Sequence, residues 1–196
     1  MDAILCDPIP IPQHWFQLIG IDFGWHHPFA ATRNAWDKDN DVWYVMASYR
    51  ESKATPPIHY AAIKPWTGDF VRCAWPHDGL QHDKGSGNEL ASIYKKLGLK
   101  MLDEHATHAA GGMGVEAGIT EMLERMQTAR FKVFRGQEQW LEEFRYYRRE
   151  DGLIVKERDD LISSTRYAIM MRRFARQPPS MEEKHAPPPR HSLWAV

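Results

Sequence analysis

Trp15-Phe16-Gln17-Leu18-Ile19-Gly20-Ile21-Asp22-Phe23-Gly24 is the stretch that decides the fold. Its first seven residues are apolar enough for a central strand of a sheet. Asp22 comes where the apolar run stops, and Gly24 ends the strand. A carboxylate so close to a core is costly unless it is hydrogen-bonded, paired or bound to metal. On its own, Asp22 fits a turn aspartate and a site residue about equally well.

Downstream, Phe29 to Asp37 and Val42 to Arg50 form two more strands, joined by the polar turn 37–41, which gives three consecutive antiparallel strands. A helix is expected over Ile58 to Lys64. Phe70 to Trp75 is a fourth strand running into Pro76-His77-Asp78-Gly79. Helices are expected over Asn88 to Leu97, closed by Gly98, over Val115 to Gln127, and over Gln137 to Arg148. Short strands are expected at Leu99 to Leu102, Phe131 to Phe134 and Leu153 to Val155, the last after a turn at Asp151-Gly152. A final helix spans Asp160 to Ala175. A meander followed by strands alternating with helices makes an α/β fold, a mixed sheet flanked by helices on both faces. The prolines at 8, 10 and 12 mark residues 1–14 as a linker without regular structure. Residues 15–176 form the domain, and the proline-rich 177–196 reads as a disordered tail.

The chain has 196 residues, 43% of them hydrophobic, enough for one ordinary core. No apolar run approaches the roughly 18–20 residues of a membrane span, and no signal pattern opens the chain. Cys6 and Cys73 form no CxxC pair, so a reducing compartment is expected and a cysteine zinc site is not. A net charge of −1 and a pI near 6.8 predict weak unaided binding to nucleic acid.

Asp78 shares the address of Asp22: it follows an apolar strand and precedes a glycine. Two aspartates at the ends of central strands favour a shared site over two separate turns. The last helix offers a third. Its stripe reads Tyr167, Met171 and Phe174, and seven residues back from Tyr167 is close to two turns, so Asp160 starts the helix on its core side. Asp159 points about 100° away and suits the N-cap. Three carboxylates around one point repel one another without a cation, and hard oxygen-seeking Mg²⁺ or Mn²⁺ resolves that conflict. Two such ions would serve phosphodiester hydrolysis, with no nucleophilic side chain needed.

A meander opening on an aspartate, a fourth strand ending in one and a last helix carrying a third is the layout of RNase H-like nucleases. The closer wording is Gly20-Ile21-Asp22-Phe23-Gly24, then Trp75-Pro76-His77-Asp78-Gly79 with Asp83-Lys84-Gly85-Ser86-Gly87, then Gly114-Val115-Glu116-Ala117-Gly118, then Arg158-Asp159-Asp160 through Arg166-Tyr167-Ala168. Over residues 15 to 175 this resembles the C-terminal nuclease domain of tailed-phage large terminase subunits. The resemblance implies an RNase H-like fold and metal-dependent endonucleolytic cutting of concatemeric double-stranded DNA during genome packaging in the host cytoplasm. It also implies an ATPase motor domain in the same polypeptide, and a portal protein and a small terminase subunit as partners. No GxxxxGK[ST] loop occurs, so ATP hydrolysis is not expected of this chain. Asp22 and Asp78 take the first two acidic positions. The third falls one turn away from its usual place, which is Ser163 here, and is assigned to Asp160 with Asp159 as second choice.

Glu116 is a candidate fourth acid, although a helix-start glutamate is the commoner explanation. His77 and His82 flank Asp78, and His26-His27 follows the first strand. Lys84 and Ser86 sit in a basic glycine-rich loop suited to a DNA phosphate. Arg145, Arg148, Arg149, Lys156 and Arg158 make the densest basic region, with a salt-bridged helix face as the plainer reading. His105 and His108 precede a flexible glycine-rich stretch, so zinc is not expected there. Two alternatives stay open: a resolvase or transposase-type RNase H-like nuclease, and a non-catalytic docking module of the packaging machinery.

Overall fold

The computed structural model describes residues 3–81, 89–150, 153–154 and 158–179. Its main sheet contains β1 (Leu5–Cys6), β2 (Phe16–Asp22), β3 (Phe29–Asp37), β4 (Val42–Glu51), β5 (Arg72–Ala74) and β6 (Phe131–Phe134). Their order is β1-β6-β4-β3-β2-β5. β2, β3 and β4 are the antiparallel meander, β5 joins β2 in parallel, and β6 joins β4 in parallel. β7 (Arg149–Glu150) and β8 (Leu153–Ile154) pair separately as a small antiparallel ribbon.

Among the described residues, five α-helices cover the sheet: α1 (Pro56–Thr67), α2 (Leu90–Leu97), α3 (Val115–Gln127), α4 (Glu138–Tyr146) and α5 (Asp160–Met170). α1 starts on two prolines, whose missing N–H groups cost nothing in a first turn. α2 stops at Gly98, which adopts the left-handed conformation that a side chain resists. α1 and α2 lie on one face, where Phe29 stacks on His59 at 4.2 Å and on Tyr94 at 5.3 Å. α3, α4 and α5 lie on the other, where Trp140 packs on Phe131 and donates its indole N–H to Thr165 Oγ1 at 2.9 Å. Sequence period explains the split. Ile19 and Ile21 point to the α1 side, while Leu18, Gly20 and Asp22 point to the α5 side.

The structure departs from the sequence expectations at three places. Leu5 and Cys6 form a strand beside Val133 and Phe134, with Ile4 buried next to them, so the proline-rich opening is not wholly irregular. The prolines at 8, 10 and 12 fall after the paired residues and spare their N–H groups. Leu99 to Leu102 is not a strand but a single bridge between Met101 and Cys73. α5 ends at Met170, followed by a 3-10 turn over Arg172–Phe174. His82, Lys84 and Ser86, the turn 151–152, Lys156 and residues 180–196 lie outside the described residues. No described helix is long and apolar enough to cross a membrane.

Candidate active site

The site is built where β2 ends under the start of α5. Gly20 makes this possible, because a side chain there would collide with the Ser164 carbonyl and press on Ala168. α5 therefore rests directly on the backbone of β2. The two elements run in opposite directions, since Arg176, beyond the helix, pairs with Gln17 at the start of the strand. Ser164 and Ala168 lie over Gly20, and Asp160, one turn before Ser164, is carried towards Asp22. The buried line of α5 thus passes through Asp160, Ser164 and Ala168. Of the stripe read from the sequence, Met171 is fully buried while Tyr167 and Phe174 are only partly so, and Asp160 faces inward as expected, 8% exposed.

The Asp22 carboxyl is pushed well above the usual carboxylate range. Burial is the main cause and the charge of Asp160 the next. Arg166 pulls the other way, and Asp159 and Asp78 push further up. Asp160 is raised as well, first by burial and then by Asp159, with its own N–H, His27 and Arg50 opposing. Three further aspartates thus act on Asp22 at the end of β2. Among the described residues, no three carboxylate, imidazole or thiol groups already stand as a closed metal-ligating set.

Glu143 of α4 was not singled out by the sequence reading, yet it organises the start of α5. It has no exposed surface, and its Oε2 accepts the Leu161 and Ile162 N–H groups at 2.7 and 3.1 Å. Its Oε1 accepts from Arg50 Nη1 at 2.7 Å. Asp159 occupies the N-cap position but makes no capping hydrogen bond; its Oδ2 accepts from Ser163 Oγ at 3.4 Å. Capping is therefore supplied from a neighbouring helix, which leaves the Asp159 and Asp160 side chains to the site. Burial pushes Glu143 up to about 7 against the opposing hydrogen bonds from Arg50 and the two amides.

Asp78 sits exposed in a 3-10 turn, His77–Leu80. Gly79 is pressed between Trp75 and Phe23, with no room for a side chain, and this fixes the turn. His77, also exposed, meets His105 edge to face at 4.9 Å. Two clefts flank the aspartates. One of about 530 Å³ is lined by His27, Arg50, Glu142, Arg158 and Asp160. Another of about 200 Å³ is lined by Asp78, His77, Met113, Arg166 and Tyr167. Arg158 adopts a left-handed backbone (φ 53°) and reaches Glu142 at 3.6 Å. Glu116 stands exposed in the first turn of α3.

This arrangement has relatives. Residues 19–172 match the model of the terminase RNase H-like domain. The chain belongs to that family. It is 46% identical over 176 residues, 89% of its length, to the large terminase subunit of Salmonella phage P22, and 44% identical over 172 residues to that of Enterobacteria phage LP7. It covers 35% and 36% of those two proteins, about a third of each. The P22 large terminase nuclease domain superposes with a TM-score of 0.83 at 45% identity, covering 90% of this chain and 91% of that one. The large terminase nuclease domain of bacteriophage SPP1 with bound Mn shares the fold at a TM-score of 0.58 and 16% identity, over 86% of this chain and 95% of that one. In this terminase domain the sequence signalled the acids but not their supports. Glu143 and Arg50 lie in charged stretches that resemble solvated faces, and Arg166 served only as a landmark for its neighbours.

Proposed function

We propose that this domain is a divalent-metal-dependent endodeoxyribonuclease that cuts concatemeric double-stranded DNA for a phage packaging machine. The observation that carries the reading is the placement of Asp160, at the buried start of α5, over the end of β2 that bears Asp22, with Asp159 and Asp78 close enough for their charges to act on Asp22. Such a cluster at a strand end, with Asp160 lining one cleft and Asp78 another, marks a candidate catalytic site.

The donor set fits Mg²⁺ or Mn²⁺. Every candidate ligand is a carboxylate oxygen, and a hard cation relieves the repulsion that raises Asp22 and Asp160. The Mn carried by the SPP1 domain agrees with that donor chemistry. Asp22, Asp78 and Asp160 would hold the metal, with Asp159 beside them. Two such ions held there would supply the Lewis acidity that phosphodiester hydrolysis by water needs. The protein's own share is positioning. Gly20 and Glu143 fix α5 and thus Asp160, while Gly79 fixes the turn bearing Asp78. The cleft beside Asp160 offers His27 and Arg158 to the DNA backbone.

Relatives about three times as long leave room for an ATPase motor elsewhere in the polypeptide, and no ATP hydrolysis is assigned to this domain. Portal protein and small terminase subunit are proposed as partners of the whole machine, in the host cytoplasm. Nicking and linearisation of plasmid DNA with Mn²⁺ or Mg²⁺, abolished by Asp22→Ala, tests the assignment; undiminished cutting by that variant refutes it. A docking module with a degenerate site is the competing reading, motivated by the lack of a closed ligand set among the described residues. Calorimetry without Mn²⁺ binding, together with no cleavage at high metal, would favour it.

A further inference from the structure

Arg166 is only 4% exposed, and its Nε–H meets no hydrogen-bond acceptor. Burying a guanidinium with an unmet donor is costly, so a structure that does so needs a compensating partner. The packing around Arg166 is specific. Its Cγ and Cδ fill the space that a side chain on Gly118 would need, 2.7 and 2.8 Å from where Cβ would stand. Its guanidinium lies 4.4 Å from the centre of the Tyr167 ring, and Nη1 approaches Met170 Sδ at 3.5 Å. Glycine in α3 is thus matched to arginine in α5, and the fork is held in place before any ligand arrives.

Arg166 lines the smaller cleft together with His77, Asp78, Met113 and Val115. Its charge reaches Asp22, yet among the described ion pairs none joins Arg166 to a carboxylate. A rigid planar donor in a partly apolar cleft suits a phosphodiester, with the phosphate on the guanidinium and the sugar against methionine and valine. About 200 Å³ accommodates that much of a nucleotide and not a duplex.

We propose that Arg166 is a substrate-positioning residue that receives one backbone phosphate of the strand being cut, next to the scissile one, in the cleft between Asp78 and Met113. The choice of a nucleic-acid strand as ligand rests on the nuclease reading above. The phosphate would meet the guanidinium where it borders the cleft and align the strand across Asp22, with the buried Nε–H sensing its charge.

The Nε–H of Arg166 gives its own NMR signal, assignable through bonds in the ¹⁵N-labelled full chain without metal. Titration with a short thymidine oligonucleotide is expected to shift it saturably, and inorganic phosphate at equal concentration to shift it much less. A signal that the oligonucleotide leaves unmoved overturns the proposal. So does an equal response to phosphate alone, which would reduce the cleft to a general anion site. In Mn²⁺-dependent cutting, Arg166→Lys is expected to raise KM for DNA about tenfold with a smaller fall in kcat, and an unchanged KM contradicts the positioning role. The two readings separate cleanly. A shifted signal in a protein that never cuts DNA sinks the nuclease and keeps the phosphate site, whereas cutting with a silent Arg166 does the reverse.

Discussion

Gly20 of β2 lies directly beneath the Ser164 carbonyl of α5, so closely that the strand and the helix meet backbone to backbone. The two elements bearing Asp22 and Asp160 are thereby set at their minimum separation. Gly20→Ala would push the helix outward. Overpacking of this kind costs about 1–3 kcal/mol, and a shift of about 1 Å in a reacting group can cost on the order of a hundredfold in rate. Chemical denaturation should show the first, and plasmid cutting at a temperature where the variant stays folded the second. Wild-type cutting by a destabilised Gly20→Ala would mean that this contact serves stability alone.

Asp22 makes a prediction about the metal-free protein. Its carboxyl is raised above the ordinary range, so the folded state holds that proton more tightly than the unfolded chain does. The associated stability is present below the unfolded value and is lost as pH rises through the folded one. Asp22→Asn should therefore melt higher than the wild type at neutral pH without metal, and the difference should shrink in acid. Mn²⁺ should raise the melting temperature of the wild type and leave Asp22→Asn almost unmoved. Equal metal-induced shifts in the two proteins would remove Asp22 from the ligand set.

Glu143 separates hydrogen bonding from charge. Glu143→Ala uncaps α5 and leaves Arg50 with Glu142 alone, at 3.3 Å; losing one partner of a buried pair typically costs about 3–5 kcal/mol. Glu143→Gln keeps an acceptor for the Leu161 and Ile162 amides. Because the carboxyl is pushed up from its ordinary 4.5 to about 7, the wild type should lose stability as pH rises across that window, and the glutamine variant should show a flatter profile. Melting curves from pH 4 to 8 decide it. Parallel profiles for the two proteins would contradict the buried-acid account.

What the sequence revealed follows from the physics of each signal. β2, the meander and α3 were legible because their apolar periods are long and uninterrupted. Asp22 and Asp78 were legible because a charge at the end of an apolar strand is conspicuous. Asp160 was placed on the inner face by a stripe of which Met171 is fully buried and Tyr167 and Phe174 only partly so. α5 is buried on nearly every side, so periodicity alone could not fix its rotation. Glu143 and Arg50 were invisible because their ion pair joins residues 93 positions apart and the cap joins Glu143 to an amide 18 positions on, with no local pattern. Met101 failed as a strand because its neighbours make only one rung with Cys73, and Trp75 takes the Leu102 carbonyl.

β1 gives the last prediction, since residues 1–14 read from the sequence as a linker without regular structure. The structure puts Ile4 in the core at 4% exposure and pairs Leu5 and Cys6 with β6. Val133 donates its N–H to the Ile4 carbonyl at 2.7 Å, and Arg135 donates to that of Cys6 at 2.9 Å. Removing residues 1–7 would forfeit the Ile4 side chain, about 2–4 kcal/mol by analogy with large-to-small core changes, and would leave β6 as an open edge bordered by Val133 and Phe134. A lower urea midpoint and a greater tendency to aggregate are expected. Ile4→Ala alone should reproduce most of the midpoint loss without the aggregation, because it keeps the edge covered. A truncated protein with the wild-type midpoint would restore the linker reading and show that β1 adds nothing to the sheet.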